Sequence, residues 1–321
     1  MNARVVAVVV THDRRELLAE SLTAIIEQTR PPDLIIVVDN ASTDGTRQMV
    51  RERFPQVELL ALGANTGGAG GFAAGMALAL ERDAERIWLM DDDTVPKPGA
   101  LEALLAAADG AALVASRVIW TDGRPHPMNT PRPKPGATPA ERAAAHRVGC
   151  IPIRSASFVS VLVDAAAVRE CGLPIADYFL WNDDFEFTTR LLRGRIGLLC
   201  PASVVVHKTR TYGDIDVDPG PRFFYEVRNK IWLFTRSPGL EPKERALYAG
   251  ATARRWARAL ARSPDRARLG RALRRGLVAG LTTRPRPTEE FLRRLPVDEH
   301  AKGQEESSRV TPTSSHDSPP D

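Results

Sequence analysis

Cysteine is scarce in this sequence, and long apolar runs are missing from it. The three cysteines, Cys150, Cys171 and Cys200, are odd in number and form no CxxC pair, which argues against a disulfide scaffold and a structural zinc site. No stretch reaches about 18 uninterrupted apolar residues, so we expect no membrane-spanning helix. Residues 1–10 also lack the pattern of a cleavable signal peptide. These absences predict a cytoplasmic protein with reduced thiols.

A large excess of one charge is missing as well. The 321 residues carry 44 Lys and Arg against 40 Asp and Glu, a formal net charge of +4. That balance argues against a protein that binds nucleic acid along its whole length. With 43% hydrophobic residues, the chain is long enough for one large domain or two modest ones.

Strand and helix patterns alternate regularly over the first 110 residues. Four short apolar runs, typical of strands buried on both faces, alternate with segments of helical spacing and lie at 5–10, 34–38, 57–62 and 86–90. This order predicts an α/β fold whose sheet is mainly parallel and flanked by helices. Ligands bind at the carboxyl ends of such strands, which here carry Thr11, Asp39, Asn65 and the run 91–93.

The chain divides into three segments of different character. Residues 1–240 carry the alternating pattern and are predicted to form the catalytic domain. Residues 241–298 are predicted to form a basic helical extension, because 241–295 hold fifteen Lys and Arg and five Asp and Glu. Such helices either lie on an anionic membrane or pack on the domain as a solvated appendage. Residues 299–321, rich in Ser, Thr, Pro and Glu, are predicted to be disordered.

Six prolines lie between residues 125 and 139. This density excludes regular structure and predicts a long surface loop. Either a lid over the site or a plain excursion of the chain fits the pattern.

Three consecutive aspartates follow the fourth predicted strand. In an extended backbone Asp91 and Asp93 point to one face and Asp92 to the other. The pair of carboxylates on one face suits Mg²⁺ or Mn²⁺, which prefer oxygen ligands. His207, which ends a later apolar run, gains a role only if it joins Asp93 at the same cation. The alternative is a solvated acidic turn before a helix.

A second acidic cluster consists of Asp183, Asp184 and Glu186. Its aromatic neighbours in the sequence are Trp181 and Phe185. Carboxylates in a partly apolar pocket have raised pKa values and can act as general bases. The alternative is a helix N-terminus whose acidic residues complement the helix dipole.

Glycine is concentrated in one run, Gly67–Gly71, which contains four glycines. A glycine-rich turn of this kind lets backbone amides approach a phosphate. The loose GxGxxG pattern, with Asp91 about twenty residues on, keeps an NAD(P)-dependent oxidoreductase as the alternative function. Against it, the fingerprint normally follows the first strand of its unit, and here it follows the third.

Several segments in sequence resemble the glycosyltransferases of family 2, which have the GT-A fold. They are VVTHDR at 9–14, VVDNASTDG at 37–45, NTGG at 65–68, WLMDDD at 88–93, WNDDFE at 181–186 and YEVRN at 225–229. The resemblance covers roughly residues 4–235. It is strongest to the galactofuranosyl- and rhamnosyltransferases of bacterial cell-wall assembly.

The resemblance implies a role for each matching residue. Asp184 would be the catalytic base, with Asp183 beside it and Glu186 and Arg190 orienting the acceptor or supporting the base. Trp181 would lie on the acceptor side. A divalent metal, Mg²⁺ or Mn²⁺, would be held by Asp91, Asp93 and His207. The donor would contact Thr11, Arg14, Asp39, Asn65, Gly67, Gly68, Asp91 and Asp92.

The implied reaction is an inverting transfer from a nucleotide-sugar donor, favouring UDP-galactofuranose or another UDP-sugar and then dTDP-rhamnose. The acceptor would be a hydroxyl of a cell-envelope glycan or a polyprenyl-linked glycan, and no nucleic acid would take part. The metal and the amides of the glycine turn would stabilise the leaving diphosphate. If 241–298 binds anionic lipid, the protein would lie peripherally at the inner face of the plasma membrane.

Overall fold

The computed structural model describes residues 3–212 and 219–296, which form one nine-stranded sheet with helices on both faces. The strands are β1 (Val5–Thr11), β2 (Leu34–Asp39), β3 (Glu58–Ala61), β4 (Arg86–Asp91), β5 (Thr94–Pro96), β6 (Leu113–Ile119), β7 (Ile151–Pro152), β8 (Ser160–Asp164) and β9 (Gly197–His207). The helices are α1 (Arg15–Ile26), α2 (Thr46–Arg53), α3 (Gly67–Glu81), α4 (Ala100–Ala106), α5 (Pro139–Arg147), α6 (Ala165–Cys171), α7 (Asp183–Leu191), α8 (Phe223–Arg236), α9 (Pro242–Arg262), α10 (Arg266–Thr282) and α11 (Thr288–Arg293).

The strand order is β3-β2-β1-β4-β8-β6-β9-β5, with β7 paired to β9. The first four strands in this order are parallel, as the sequence predicts. Strand β8 runs antiparallel to β4 and to β6, whereas β9 runs parallel to β6. In register, Thr11 lies beside Asp39 and Val10 beside Asp91. The predicted convergence of polar residues at the carboxyl ends of β1, β2 and β4 is therefore confirmed.

Every residue of β1 is buried, because helices cover both faces of the sheet. Val5, Ala7 and Val9 pack on the face covered by α1, α2 and α4. Val6, Val8 and Val10 pack on the opposite face, against α3 and other buried side chains. Because both faces of the strand are covered, residues 5–10 are all apolar.

The glycine run is the beginning of a helix, so the prediction of a glycine-rich turn was wrong. Helix α3 starts at Gly67 and lies directly on β1. A Cβ atom at Gly71 would be 2.5 Å from Val10 Cγ1, and one at Gly75 would be 2.4 Å from Val8 Cγ1. These glycines therefore permit close packing of helix on sheet.

Helices α9 to α11 form the helical part of the predicted extension. Helix α10 packs on α8, where a Cβ atom at Gly276 would be 2.7 Å from Val227 Cβ and one at Gly280 2.6 Å from Ile231 Cβ. Helix α9 has Thr252 as its only fully buried residue. No helix in 3–212 or 219–296 is long and apolar enough to cross a membrane. The predicted disordered segment 299–321 lies outside the described residues.

The proline-rich segment has no helix or strand between Ile119 and Pro139, as predicted. Most of its residues are exposed, but His126 and Ala137 are buried. Thr138 begins α5 with a reciprocal pair of hydrogen bonds to Glu141. The segment is thus a surface loop fixed to the domain at particular points.

Candidate active site

Two carboxylates and one imidazole meet where β4 and β9 end. After Asp91 the chain turns into β5, whose antiparallel pairing places Thr94 opposite His207. Asp93 consequently lies next to His207, with 2.9 Å between Asp93 Oδ1 and His207 Nε2. One ligand atom from each of Asp91, Asp93 and His207 lies within 4.8 Å of the others. These three residues, called the metal cluster below, are a donor set that could hold one divalent cation.

The middle aspartate points away from the metal cluster, as the alternation of side chains predicts. Asp92 Oδ2 accepts hydrogen bonds from Thr11 Oγ1 at 2.8 Å and from the His12 amide at 3.3 Å. Burial, together with the charge of Asp93, raises the pKa of Asp92 to about 7. Asp92 thus ties the end of β1 to the end of β4.

The charges within the metal cluster are incompletely compensated. Burial and then the charge of Asp93 raise the pKa of Asp91 to about 6. Burial opposes ionisation of Asp93, but His207 and Arg14 outweigh it and lower its pKa. Arg14 Nη1 lies 3.1 Å from Asp93 Oδ2. The half-buried Asp91 and the buried Asp93, beside one imidazole, are a donor set that fits Mg²⁺ or Mn²⁺.

The residues predicted to hold the nucleoside lie next to this cluster and are mostly engaged with the protein. Asp39 is fully buried and pairs with Arg47, and Thr11 is bonded to Asp92. Asn65 is exposed, and its Oδ1 accepts a hydrogen bond from the Gly67 amide at 2.8 Å. Of the predicted donor residues Asn65 is exposed, and Arg14, Gly68 and Asp91 are half-buried.

Asn40 joins two elements at this corner, a role that the sequence analysis does not assign to it. Its Nδ2 donates to the Gly67 carbonyl at 2.8 Å, and its Oδ1 accepts from the Thr66 amide at 2.7 Å. The side chain is buried. It joins the end of β2 to the beginning of α3.

The second acidic cluster lies at the N-terminus of α7, after a strained turn. Phe179, Trp181 and Asn182 all have φ between 62° and 67°, a left-handed conformation that is unusual for residues other than glycine. Asp183 is buried, whereas Asp184 is partly exposed. Asp184 is thus the more accessible of the two candidate bases.

Asn229 of α8 holds the strained turn in place. Its Nδ2 lies 2.9 Å from the carbonyl oxygens of Tyr178, Leu180 and Trp181. Arg228 donates to the carbonyls of Asp177 and Tyr178 and to Asn229 Oδ1. The YEVRN segment therefore positions the backbone that leads to Asp184.

A buried set of charges surrounds the base candidate. Burial raises the pKa of Asp184, while the charge of Lys230 works to lower it. Lys230 Nζ lies 4.4 Å from the centroid of the Phe185 ring, and burial lowers its pKa to about 8. Glu226 accepts from Asn182 Nδ2 at 2.7 Å and pairs with Arg255 of α9. The C-terminal helices thus contribute a side chain to the surroundings of the site.

Glu186 and Arg190 form a buried pair. Arg190 Nε lies 2.8 Å from Glu186 Oε1, which also accepts from Ser237 Oγ at 2.8 Å. Arg190 donates further to the carbonyls of Cys171, Gly172 and Leu173. Glu186 is fully buried among these bonds. These bonds fix α7 against its neighbours, and the role of the pair in orienting the acceptor or supporting the base stays a prediction.

The amides at the start of α3 are engaged within the protein as well. The Phe179 carbonyl accepts from the Ala69 amide at 3.3 Å, and a Cβ atom at Gly67 would be 1.9 Å from that oxygen. The amides of Gly67 and Ala69 are thus bonded within the protein, and contact of the glycine run with the diphosphate stays a prediction. Glycine at position 67 leaves room for the turn that leads to Asp184. Gly68 has open space around it.

Comparison with known proteins identifies the family. The model of Glycosyl transferase family 2 matches residues 6–161. Galactofuranosyltransferase GlfT1 of Mycolicibacterium smegmatis is 36% identical over 263 residues, covering 74% of this chain and 84% of that protein. The chain belongs to glycosyltransferase family 2. The resemblance stated from the sequence is confirmed, and the chain is a glycosyltransferase.

Further relatives of this family 2 enzyme extend the comparison. An N-acetylglucosaminyl-diphospho-decaprenol L-rhamnosyltransferase of Mycobacterium tuberculosis is 28% identical over 230 residues, covering 62% of this chain and 74% of that protein. The solved structure of Staphylococcus aureus TarS 1–349 in complex with UDP has a TM-score of 0.56 at 14% identity, covering 90% of this chain and 91% of that chain. GalNAc-T7 with UDP, GalNAc and Mn²⁺ gives 0.55 at 14% identity, covering 78% and 54%.

At these identities the solved structures establish the fold alone, which is GT-A. The NAD(P)-dependent oxidoreductase that the glycine run kept open is wrong, since the family is shown. The structure gives the physical reason. The glycine run packs α3 against β1, and the Ala69 amide within it donates a hydrogen bond to the Phe179 carbonyl.

Proposed function

We propose that this glycosyltransferase moves a hexosyl group from a nucleotide-sugar donor to a hydroxyl group with inversion, in a reaction that depends on a divalent metal. The observation that carries the proposal is the metal cluster of Asp91, Asp93 and His207 with Asp184 within electrostatic reach. The charge of Asp184 contributes to the raised pKa of Asp91, which supports a site shared by the two clusters. UDP-galactofuranose or another UDP-sugar is favoured, with dTDP-rhamnose next, as the names of the relatives suggest.

Asp184 is the base in this proposal. It accepts the proton of the acceptor hydroxyl while that oxygen forms a bond to the anomeric carbon, and the bond from this carbon to the diphosphate oxygen breaks. A carboxylate with a raised pKa is suited to proton transfer near neutral pH. Asp183, which is buried, supports the cluster without contacting the acceptor.

Asp91, Asp93 and His207 would hold Mg²⁺ or Mn²⁺, which when bound supplies positive charge to the diphosphate. Arg14 lies at the edge of the metal cluster and is placed to contact the donor phosphates. Asn65, with its exposed side chain, would contact the nucleoside, together with Thr11, Asp39 and Gly68.

Calorimetric titration with UDP and with dTDP, each in Mn²⁺ and in EDTA, tests this function. We expect UDP to bind in Mn²⁺ and to lose most of its affinity in EDTA. Tighter binding of dTDP would shift the donor to dTDP-rhamnose. UDP binding that is indifferent to EDTA, or unchanged in Asp93→Ala, would contradict the metal dependence. NAD serves as the ligand expected not to bind.

We propose further that the acceptor is a polyprenyl-linked or cell-envelope glycan reached at an anionic membrane surface. Arg254 and Arg258 lie one turn apart on the exposed side of α9, and Arg271 and Arg274 are exposed on α10. Leu247, Val278 and Leu281, on the same two helices, are exposed apolar side chains. Exposed arginines beside apolar side chains favour binding to anionic lipid.

Flotation with vesicles tests the membrane contact. We expect the protein to float with phosphatidylglycerol vesicles at low salt and not with phosphatidylcholine vesicles. Arg254→Glu with Arg258→Glu should abolish flotation, whereas Arg51→Glu with Arg53→Glu on exposed positions of α2 should not. Failure of the unmodified protein to float would remove the membrane contact and leave the transferase function in place.

A further inference from the structure

The proline-rich loop reaches the metal cluster through one buried turn. His126 donates its backbone amide to the Val118 carbonyl at 3.0 Å, which ties the loop to the end of β6. The His126 ring is fully buried and lies against His207, with 4.9 Å between ring centroids. Its Nε2 lies 3.2 Å from Thr209 Oγ1, just past β9. The ring therefore restricts the orientations open to His207.

Asn129, on the same turn, contacts His207 directly. Asn129 Oδ1 lies 3.0 Å from His207 Nδ1. The amide group is itself oriented by a hydrogen bond of 3.1 Å from its Nδ2 to Ser157 Oγ. Thr130 closes the turn, because its amide and hydroxyl both donate to the His126 carbonyl. The acceptor oxygen of Asn129 is thus held facing the ring nitrogen that lies away from Asp93.

We propose that Asn129 is a positioning residue that holds His207 in the tautomer protonated on Nδ1, so that the Nε2 lone pair is available to the divalent metal. Metal-binding histidines generally donate their other ring N–H to an oxygen acceptor, which fixes both tautomer and ring orientation. The inference rests on the proposed metal role of His207. The proline-rich loop then serves to orient a metal ligand, which is neither the role of a lid nor that of a simple connection.

Mn²⁺ affinity in the presence of UDP, measured by electron paramagnetic resonance, tests the proposal apart from activity. Loss of such an outer hydrogen-bond partner weakens metal binding by about 10- to 100-fold, so we expect that range for Asn129→Leu. Asn129→Asp keeps an acceptor oxygen at the same place and should retain the affinity. Ser157→Ala, which leaves the Asn129–His207 bond intact, should have the smaller effect.

His207→Ala separates failure of this inference from failure of the proposed function. If His207→Ala loses Mn²⁺ affinity and Asn129→Leu does not, the role of Asn129 is overturned while the metal site stands. If His207→Ala binds Mn²⁺ normally, the proposed metal site itself fails. Equal losses in Asn129→Leu and Asn129→Asp would also overturn the proposal, because the second variant retains the acceptor.

A measurement on the unmodified protein covers the case in which the Asn129 variants fail to fold. Nitrogen-15 NMR of the histidine rings, with Mg²⁺ and UDP bound, reports which ring nitrogen carries the proton. We expect His207 to be protonated on Nδ1. Protonation on Nε2 in that complex would overturn the proposal.

Discussion

Asp184 combines partial exposure with a raised pKa, and Asp183 beside it is buried. We therefore expect Asp184→Asn to retain Mn²⁺-dependent binding of UDP and to lower kcat by about 10²- to 10⁴-fold, the usual contribution of a general base. Steady-state kinetics and calorimetry on the same samples measure the two effects. Asp183→Asn is the comparison: a larger loss of kcat in that variant than in Asp184→Asn would move the base to Asp183.

Lys230 is the cation that favours ionisation of Asp184. Because its pKa is lowered to about 8 by burial, it carries its charge at pH 7. Removing that charge in Lys230→Met should raise the pKa of Asp184. Since the base acts when ionised, the acidic limb of the kcat profile should move to higher pH. Lys230→Arg keeps the charge and should leave the limb in place; an unshifted limb in Lys230→Met would contradict the argument.

The turn before α7 depends on α8 for its conformation. Three left-handed residues within 179–182 cost free energy, and the amide of Asn229 compensates by donating to the carbonyls around them. Asn229→Asp has the same shape but lacks the donor. We expect it to lose about 1–3 kcal/mol of stability, the cost of unpaired buried polar groups.

The same change should also lower kcat more than it weakens UDP binding, because the metal cluster is built on other elements. Thermal denaturation and kinetics of Asn229→Asp check both effects. A normal kcat with reduced stability would show that Asn229 supports the fold without positioning the base.

Strands with a continuous apolar run are predictable from this sequence, whereas the helix that begins in the glycine run is not. The apolar run of β1 is typical of a strand buried on both faces. Glycines, however, serve turns and tightly packed helices alike, and only the neighbouring Val8 and Val10 side chains reveal which case applies at Gly71 and Gly75. These contacts join parts of the chain that are distant in sequence, so they leave no local sequence pattern.

The residues of the site also fall into those that the sequence predicts and those that it does not. The acids of the metal cluster follow a predicted strand and could be found from the sequence, as could the cluster at α7. Asn129 could not, since a single asparagine has no periodic signal. Asn40 and Asn229 lie in segments that carry the family resemblance, but their bonds reach residues far along the chain, so their roles could not be predicted. The sequence places Glu186 one turn from Arg190 on α7 but does not reveal that Ser237 also bonds to it.

The C-terminal helices are coupled to the catalytic domain through α10. A Cβ atom at Gly276 would be 2.9 Å from the Phe224 carbonyl and 2.7 Å from Val227 Cβ, so Gly276→Ala must displace α10 from α8. We expect a loss of about 1–3 kcal/mol, typical of overpacking, and a reduced kcat, since α8 carries Asn229 and Lys230.

Gly270→Ala is the matched control on the same helix. A Cβ atom there meets nothing within 4 Å, so the added methyl group should leave the melting temperature unchanged or raise it. Equal behaviour of the two variants in thermal melts would contradict the close contact between α10 and α8.

The exposure of Trp181 has a spectroscopic consequence. Of the five tryptophans, all within the described residues, Trp181 is the exposed one at 38%, while Trp88 and Trp232 are buried. Acrylamide should therefore quench the emission of Trp181 selectively. Trp181 is proposed to lie on the acceptor side, so we expect a bound acceptor to protect its emission from the quencher. Quenching of the intrinsic Trp181 emission would therefore report acceptor binding. Unlabelled glycans could be screened in this way before any sugar donor is chosen.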